Sequence, residues 1–126
     1  MLYIEDLKRA YVIKRNIEAA EKEIAKLSEE QKRNVDTTAT ATVALEQEML
    51  EYKVSVLNGS LLEIVDFIKN CEDSLVSQAM YHRYLKGKTW EQVALSLGGY
   101  NSAECIRKMV NRYLDKKGVT KRAGEV

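Results

Sequence analysis

The chain has 126 residues, of which 45% are hydrophobic and 31% charged, with no proline and a formal net charge of +1. This balance is typical of a soluble helical protein, and no apolar run approaches the roughly 20 residues of a membrane span. Cys71, Cys105 and His82 are too scattered to form a metal site, so neither a metal nor another cofactor is expected. The first residues lack the pattern of a signal peptide, which predicts a cytoplasmic protein.

Charge is unevenly distributed along the chain. Residues 1–71 contain 10 Lys and Arg against 13 Asp and Glu, a balance of −3. Residues 72–126 contain 10 against 6, a balance of +4. An acidic first part and a basic second part indicate an assembly region followed by a nucleic-acid-binding region. The alternative is an ordinary solvated surface, since cations are also favoured at helix C-termini.

The first 70 residues predict two long helices. Over residues 2–33 the apolar residues recur at alternating spacings of three and four, which is the period of coiled coils. The Asn- and Thr-rich segment 34–42 predicts a loop, because these side chains compete for helical hydrogen bonds or lose rotamer freedom. The apolar period resumes over residues 43–70. It passes through Gly59 in register, so we expect one helix with a glycine tolerated at a cost of about 1 kcal/mol.

The two helices are expected to pair as an antiparallel, coiled-coil-like hairpin that also forms a homodimer. A second apolar row, Leu45, Met49, Tyr52 and Val56, would leave the second helix with a wide exposed apolar face. Twofold dimers are the commonest closed assemblies, which favours a second copy over the C-terminal region as the partner. The residues predicted to mediate oligomerisation are Ile13, Ile17, Ile24, Leu50, Val54, Leu57, Leu61, Ile64 and Ile68.

A helix-turn-helix is predicted between residues 72 and 117. Its first helix covers residues 74–86, with Asp73 as the N-cap and Gly87 at its end. A short helix, a glycine-containing turn and a longer helix over residues 102–117 follow, in the order typical of this motif.

Local residue types mark the ends of the last two helices. Thr89 and Gln92, three residues apart, predict a capping box at the start of the second helix. Gly98-Gly99 predicts its end, because glycine tolerates the left-handed conformation of a helix C-terminus. Asn101 or Ser102 is the expected cap of the third helix, whose polar face carries Arg, Lys and Asn. These types reach phosphates and form paired hydrogen bonds with guanine or adenine in the major groove.

A family resemblance is carried by the run from Arg83 to Ala94, then Leu97-Gly98, Ser102, Ile106-Arg107 and Arg112-Tyr113-Leu114. These residues resemble the region-four helix-turn-helix of bacterial sigma factors. The order of the parts resembles phage and prophage late-gene activators of the ArpU and RinA kind, which place such a module behind a helical segment. The resemblance covers roughly the last third of the chain and implies a bacterial host cell. His82 departs from it, because an apolar residue is usual there.

The resemblance implies that the third helix enters the major groove. It assigns base contacts to Ala103, Glu104, Arg107, Lys108 and Asn111. Ser102, at the start of that helix, is expected near a phosphate, because its neighbours' amides are free there. Arg112 and Lys116 complete the predicted DNA-binding set.

The leading interpretation is a phage or prophage transcriptional regulator that binds double-stranded DNA, with RNA polymerase as a further candidate partner. An enzyme is not expected, because no glycine-rich phosphate loop, activated nucleophile or catalytic metal set occurs. The predicted domains are an oligomerisation hairpin over 1–71, the helix-turn-helix over 72–117 and a disordered basic tail over 118–126. Two alternatives stay open: a packaging protein like a small terminase subunit, with a ring larger than a dimer, and a phage inhibitor that binds protein.

Overall fold

The computed structural model describes residues 2–33 and 37–122, and for Thr37 the backbone alone. Its helices are α1 (Ile4–Arg33), α2 (Thr37–Lys69), α3 (Ser74–Met80), α4 (Trp90–Ser96) and α5 (Ala103–Lys116). A π-helical turn, Tyr81–Leu85, continues α3. No strand occurs in these ranges. The predicted all-α class, with two long N-terminal helices that pack together, is confirmed.

None of the helices in the described ranges combines the length and apolar character needed to cross a bilayer.

Two compact units divide the chain. One contains residues 12–61, and the other contains the start of α1 through Tyr11 together with the chain from Leu62 onward. This division differs from the boundary predicted after residue 71. The last turns of α2 belong with the C-terminal helices, because Ile64 and Ile68 are buried within that unit.

In the unit of residues 12–61, the buried apolar side chains come from both long helices. Ile17, Ala20 and Leu27 of α1 are buried, as is Val43 of α2. The other seam residues of this unit that were predicted to mediate oligomerisation are half-buried: Ile13, Ile24, Leu50, Val54, Leu57 and Leu61. The seam therefore serves mainly the packing of the chain on itself.

The loop predicted over residues 34–42 is wrong for residues 37–42, where α2 has already begun. Thr42 donates its hydroxyl hydrogen bond to the carbonyl of Thr38 at 3.1 Å, so the side chain adds to the helical pattern instead of ending it. Residues 34–36 lie outside the described part of the chain. Further on, α2 runs without interruption through Gly59, as predicted.

In the other unit, α3 and α4 pack against α5. Together with the π-helical turn, their apolar faces supply a shared core of Val76, Ala79, Met80, Tyr84, Leu85, Val93, Ala94, Ile106, Val110 and Leu114. The first helix of this module was predicted to run through residue 86, whereas its α-helical part ends at Met80 and a π-helical turn completes it.

The segment after α5 is tied to the start of α1. Val119 is 4% exposed, and the carbonyl of Thr120 accepts a hydrogen bond from the Ile4 amide at 3.0 Å. Arg122 donates a side-chain hydrogen bond to Asp6 at 3.1 Å. The prediction of a disordered tail is therefore wrong for residues 118–122, while residues 123–126 lie outside the described part of the chain.

Candidate nucleic-acid interface

Side-chain caps fix where the helices of the module begin. The Gln92 amide donates to Thr89 Oγ1 at 3.2 Å, and the Thr89 amide donates to Gln92 Oε1 at 3.0 Å. The predicted capping box is confirmed, and it satisfies two amides that the first turn of α4 leaves without helical partners. Asp73 caps α3 as predicted, since its Oδ1 accepts from the amides of Leu75 and Val76.

The turn between α4 and α5 depends on two glycines. Gly98 and Gly99 have φ values of +100° and +73°, in the region that side chains disfavour, and the Gly99 amide bonds the carbonyl of Ala94 at 3.0 Å. Ser102 then starts α5, because its hydroxyl accepts from the Cys105 amide at 3.1 Å. Of the two caps predicted for this helix, the structure uses Ser102.

One face of α5 is buried and the other is open. Ile106, Val110 and Leu114 are at most 2% exposed. The predicted DNA-binding residues on α5 lie around the opposite side, where Glu104, Lys108, Asn111, Arg112 and Lys116 are exposed and Ala103 and Arg107 are half-exposed. The helix therefore presents a polar surface that its own packing does not need.

Glu104 forms ion pairs with two of the basic residues that were predicted to contact DNA. Arg107 Nε donates to Glu104 Oε2 at 2.9 Å, and a second guanidinium nitrogen of Arg107 bonds Glu104 Oε1. Lys108 Nζ lies 4.0 Å from the same oxygen. The hydrogen bonds from Arg107 lower the pKa of Glu104 below its usual value. Arg107 is thus paired along its own helix, and its charge is partly balanced.

A cleft of about 450 Å³ lies along one side of α5. Arg107 and Asn111 form part of its wall, together with three cations from other elements: Lys8, Arg83 and Lys121. Asp115 is the acidic residue that lines it. Four basic groups beside one acid make this side of α5 attractive to anions.

Two of these cations were missed by sequence reasoning. Lys8 lies on α1 and Arg83 in the π-helical turn, far along the chain from α5, and no local pattern links them to it. Arg83 is fixed in place, since it donates to the carbonyl of Lys88 at 2.9 Å and lies 4.9 Å from the ring centre of Trp90. Trp90 is itself half-buried, so the ring that Arg83 contacts is held in the packing of the module.

The opposite side of α5 has a different charge environment. Arg112 and Lys116 line a shallow groove there with two acids, Glu72 and Asp73. Glu72 also accepts from Lys117 Nζ at 3.3 Å. The predicted DNA-binding set is therefore divided, with Arg107 and Asn111 facing the basic cleft and Arg112 and Lys116 facing acids.

His82 links the π-helical turn to the end of α4 through a lysine. Lys88 Nζ lies 3.1 Å from His82 Nδ1 and donates to Ser96 Oγ at 2.9 Å. Burial, followed by the charges of Lys88 and Lys86, lowers the pKa of His82. A neutral imidazole whose Nδ1 accepts from the ammonium group suits this geometry.

No protein-family model matches this chain, and comparisons with curated proteins and with solved structures give no significant match. The likeness to sigma region four and to the ArpU- and RinA-like activators stays a prediction from the residues. In the described part of the chain, no group of three or more His, Cys, Asp or Glu side chains could hold a metal ion. The cleft is lined by cations, by the side-chain amide of Asn111 and by the ring of Trp90, and it lies beside the exposed face of α5.

Proposed function

We propose that this protein is a phage or prophage transcriptional regulator that places α5 in the major groove of double-stranded DNA. The observation that carries the proposal is the position of α5. Its apolar face is packed onto the module, while its exposed face carries Arg107, Lys108 and Asn111 beside a cleft lined by further cations. An amphipathic helix after a capped short helix and a glycine turn is the arrangement in which such motifs present base-reading side chains.

The proposed contacts fall into two kinds. Asn111 suits paired hydrogen bonds to adenine, and Arg107 suits guanine. Lys8, Arg83 and Lys121, which face the same cleft from other elements, suit backbone phosphates. In this arrangement the base contacts come from α5, and the phosphate contacts come from residues that hold α5 in register with the duplex.

Glu104 and Asp115 limit the electrostatic attraction of α5. They share the polar side of the helix with its four basic residues, Arg107, Lys108, Arg112 and Lys116. Binding to random sequence depends mainly on cations that replace counterions at phosphates. We therefore expect modest affinity for random DNA and a clear gain on the correct sequence, where Arg107 exchanges some of its bonding to Glu104 for a base.

A protein partner is the second candidate, and a specific observation favours it. Leu95 on α4 and Tyr100 in the following turn are 75% and 93% exposed. Large apolar side chains exposed beside a helix-turn-helix suit a protein contact. RNA polymerase would be such a partner for an activator, and another host protein for an inhibitor.

Selection from a random pool of duplex DNA at two salt concentrations tests the proposal. The double variant Arg107→Ala/Lys108→Ala is compared with Lys22→Ala/Lys26→Ala, which removes the same charge from exposed positions of α1. We expect an enriched motif for the unmodified protein and the control, and its loss in the α5 variant. Absence of both an enriched motif and salt-dependent binding would contradict a DNA-binding role and favour the protein partner.

A further inference from the structure

An apolar row stays uncovered on α2. Leu45, Met49, Tyr52 and Val56 are 57, 65, 74 and 52% exposed, although all four are large apolar residues. They follow one another at spacings of four, three and four, so they form one stripe along the helix. The neighbouring seam residues are buried or half-buried in the chain's own packing. This stripe, which we term the outer row, has the pattern of a helix that pairs with another helix.

We propose that the outer row is the interface of an antiparallel homodimer in which the α2 helices of two copies pair. In coiled-coil register the row alternates between the two core positions of the heptad. With the twofold axis beside residues 50 and 51, Leu45 faces Val56 of the second copy and Met49 faces Tyr52. Each of the four layers then pairs two different side chains, and the larger one has a smaller or more flexible neighbour.

The ends of the outer row support this register. One turn beyond Val56 the stripe reaches Gly59, which is exposed and has no neighbouring atom within 4 Å of a Cβ position. One turn before Leu45 it reaches Thr42, which is also exposed. The antiparallel register places Thr42 of one copy opposite Gly59 of the other. The branched side chain of Thr42 then fills the space beside Gly59, which has no side chain.

Charge complementarity identifies the partner as a second copy of this chain. Glu46 and Lys53 flank the outer row on one side, and both are exposed. They occupy equivalent heptad positions, which approach each other in antiparallel pairs, so Glu46 of each copy meets Lys53 of the other. On the other flank Glu48 meets Ser55, and no like charges are brought together. One surface therefore supplies both halves of each ion pair.

A parallel pairing fits the same row less well. It would stack Tyr52 on Tyr52 and leave Gly59 opposite Gly59, so that one layer is crowded and another is empty. Its ion pair would join Glu48 to Lys53 and leave Glu46 beside an alanine, Ala41. The two orientations therefore use different glutamates, and charge reversal distinguishes them.

Sedimentation equilibrium on the full chain tests the interface. Tyr52→Glu puts a charge into the centre of the row, and we expect it to weaken dimerisation at least 100-fold. Its helix content, followed by circular dichroism, should stay unchanged because Tyr52 is 74% exposed. The matched control is Val12→Glu, at a valine of α1 that is 56% exposed and does not belong to the outer row or its flanks. We expect this control to dimerise as the unmodified chain does.

Charge reversal tests the register. Glu46→Lys and Lys53→Glu should each weaken the dimer about fivefold, as expected for exposed ion pairs that become repulsive. The double variant Glu46→Lys/Lys53→Glu should restore the original affinity. Rescue of Lys53→Glu by Glu48→Lys instead would overturn the antiparallel register.

A monomeric unmodified chain would overturn the proposal, as would a larger ring that Tyr52→Glu leaves intact. The inference does not depend on DNA binding, because all its residues lie in the unit of residues 12–61. Arg107→Ala/Lys108→Ala should therefore leave the mass in solution unchanged. Failure of the DNA proposal and failure of the dimer proposal are distinguishable by this variant.

Discussion

The aromatic ring of Tyr11 in α1 packs directly against Gly87. A Cβ atom at Gly87 would lie 2.8 Å from Cδ1 of Tyr11, closer than side chains approach each other. Gly87 also has a φ of +70°, in the left-handed region. Glycine is therefore required there for two reasons, the backbone conformation and the space that the ring occupies.

Gly87→Ala should lower the free energy of unfolding by about 1–3 kcal/mol, measured by urea denaturation. The left-handed conformation costs an alanine about 1–2 kcal/mol, and displacement of the Tyr11 ring adds to it. In a Tyr11→Ala background, Gly87→Ala should lower the free energy of unfolding only by the cost of the left-handed conformation. An equal cost in both backgrounds would mean that the ring contact contributes nothing.

Gly59→Ala is the matched control for this substitution. Gly59 lies in the interior of α2, its φ is not positive, and a Cβ there meets no atom within 4 Å. Alanine should therefore raise the free energy of unfolding by up to about 1 kcal/mol, because glycine loses more backbone freedom in a helix.

His82 should make stability depend on pH. Its pKa in the folded chain is lowered, first by burial and then by Lys88 and Lys86, so the unfolded chain binds a proton more readily. The stabilisation is present above the unfolded pKa of about 6.5 and is lost as the pH falls through the lower folded value. His82→Gln should remove this loss when urea denaturation is compared at pH 7.5 and pH 5.

A proton NMR titration gives an independent check on that pH dependence. His82 is the one histidine of the sequence, so its ring signals need no further assignment. Lys88→Ala removes the nearest cation and should raise the pKa of His82 towards its usual value. An unchanged titration midpoint in Lys88→Ala would show that the ammonium group has no influence on the ring.

Glu104→Gln should strengthen binding to random duplex DNA several-fold at low salt, if α5 contacts DNA as proposed. The substitution removes a negative charge from the exposed face and weakens the hold on Arg107. Fluorescence anisotropy over a salt series measures it. Glu21→Gln, an equal charge change at an exposed position of α1, should have little effect. Equal gains in both variants would show that net charge, and not the position of Glu104, matters.

Lys8→Ala and Asn111→Ala should affect DNA binding in different ways. Lys8 faces the cleft from α1, so its removal should weaken binding to all sequences alike and reduce the salt slope by about 0.9, the value for one neutralised phosphate. Asn111→Ala should change the preferred base at one position and leave the slope nearly unchanged. Repeated selection with each variant measures both effects, and the same uniform weakening in both would contradict a base-reading role for Asn111.

Lys116→Ala offers a comparison on the other side of α5. Its side chain shares a groove with Glu72 and Asp73, so its contribution to phosphate binding should be smaller than that of Lys8. The sequence alone predicted Lys116 as a DNA-binding residue without distinguishing the two sides of α5. A larger loss of affinity for Lys116→Ala than for Lys8→Ala would place the DNA nearer the acidic groove than the basic cleft.

Features that depend on a few adjacent residues could be predicted from the sequence. The capping box of Thr89 and Gln92, the glycine turn and the buried face of α5 follow from local geometry and helical period. The start of α2 was misjudged, because the hydroxyl of Thr42 bonds within the helix although threonine also favours loops.

Features that depend on distant residues could not be predicted. Val119 is a single apolar residue without periodicity, and nothing before folding indicates that it becomes buried. Lys8 and Arg83 reach the side of α5 only because three separate elements meet there. The pairing of Glu104 with Arg107, by contrast, is a three-residue spacing on a helix that charge patterning could have shown.

The hydrogen bond between the Ile4 amide and the Thr120 carbonyl joins residues from opposite ends of the described chain. The unit to which both belong cannot be completed on the ribosome until Thr120 has left the exit tunnel. The hairpin of residues 12–61, in contrast, is fully synthesised much earlier. During synthesis, residues 12–61 would therefore be available to fold before the segment that contains Thr120 has emerged. Contacts between residues so far apart in the sequence form slowly, so we expect the unit that joins both ends to fold last.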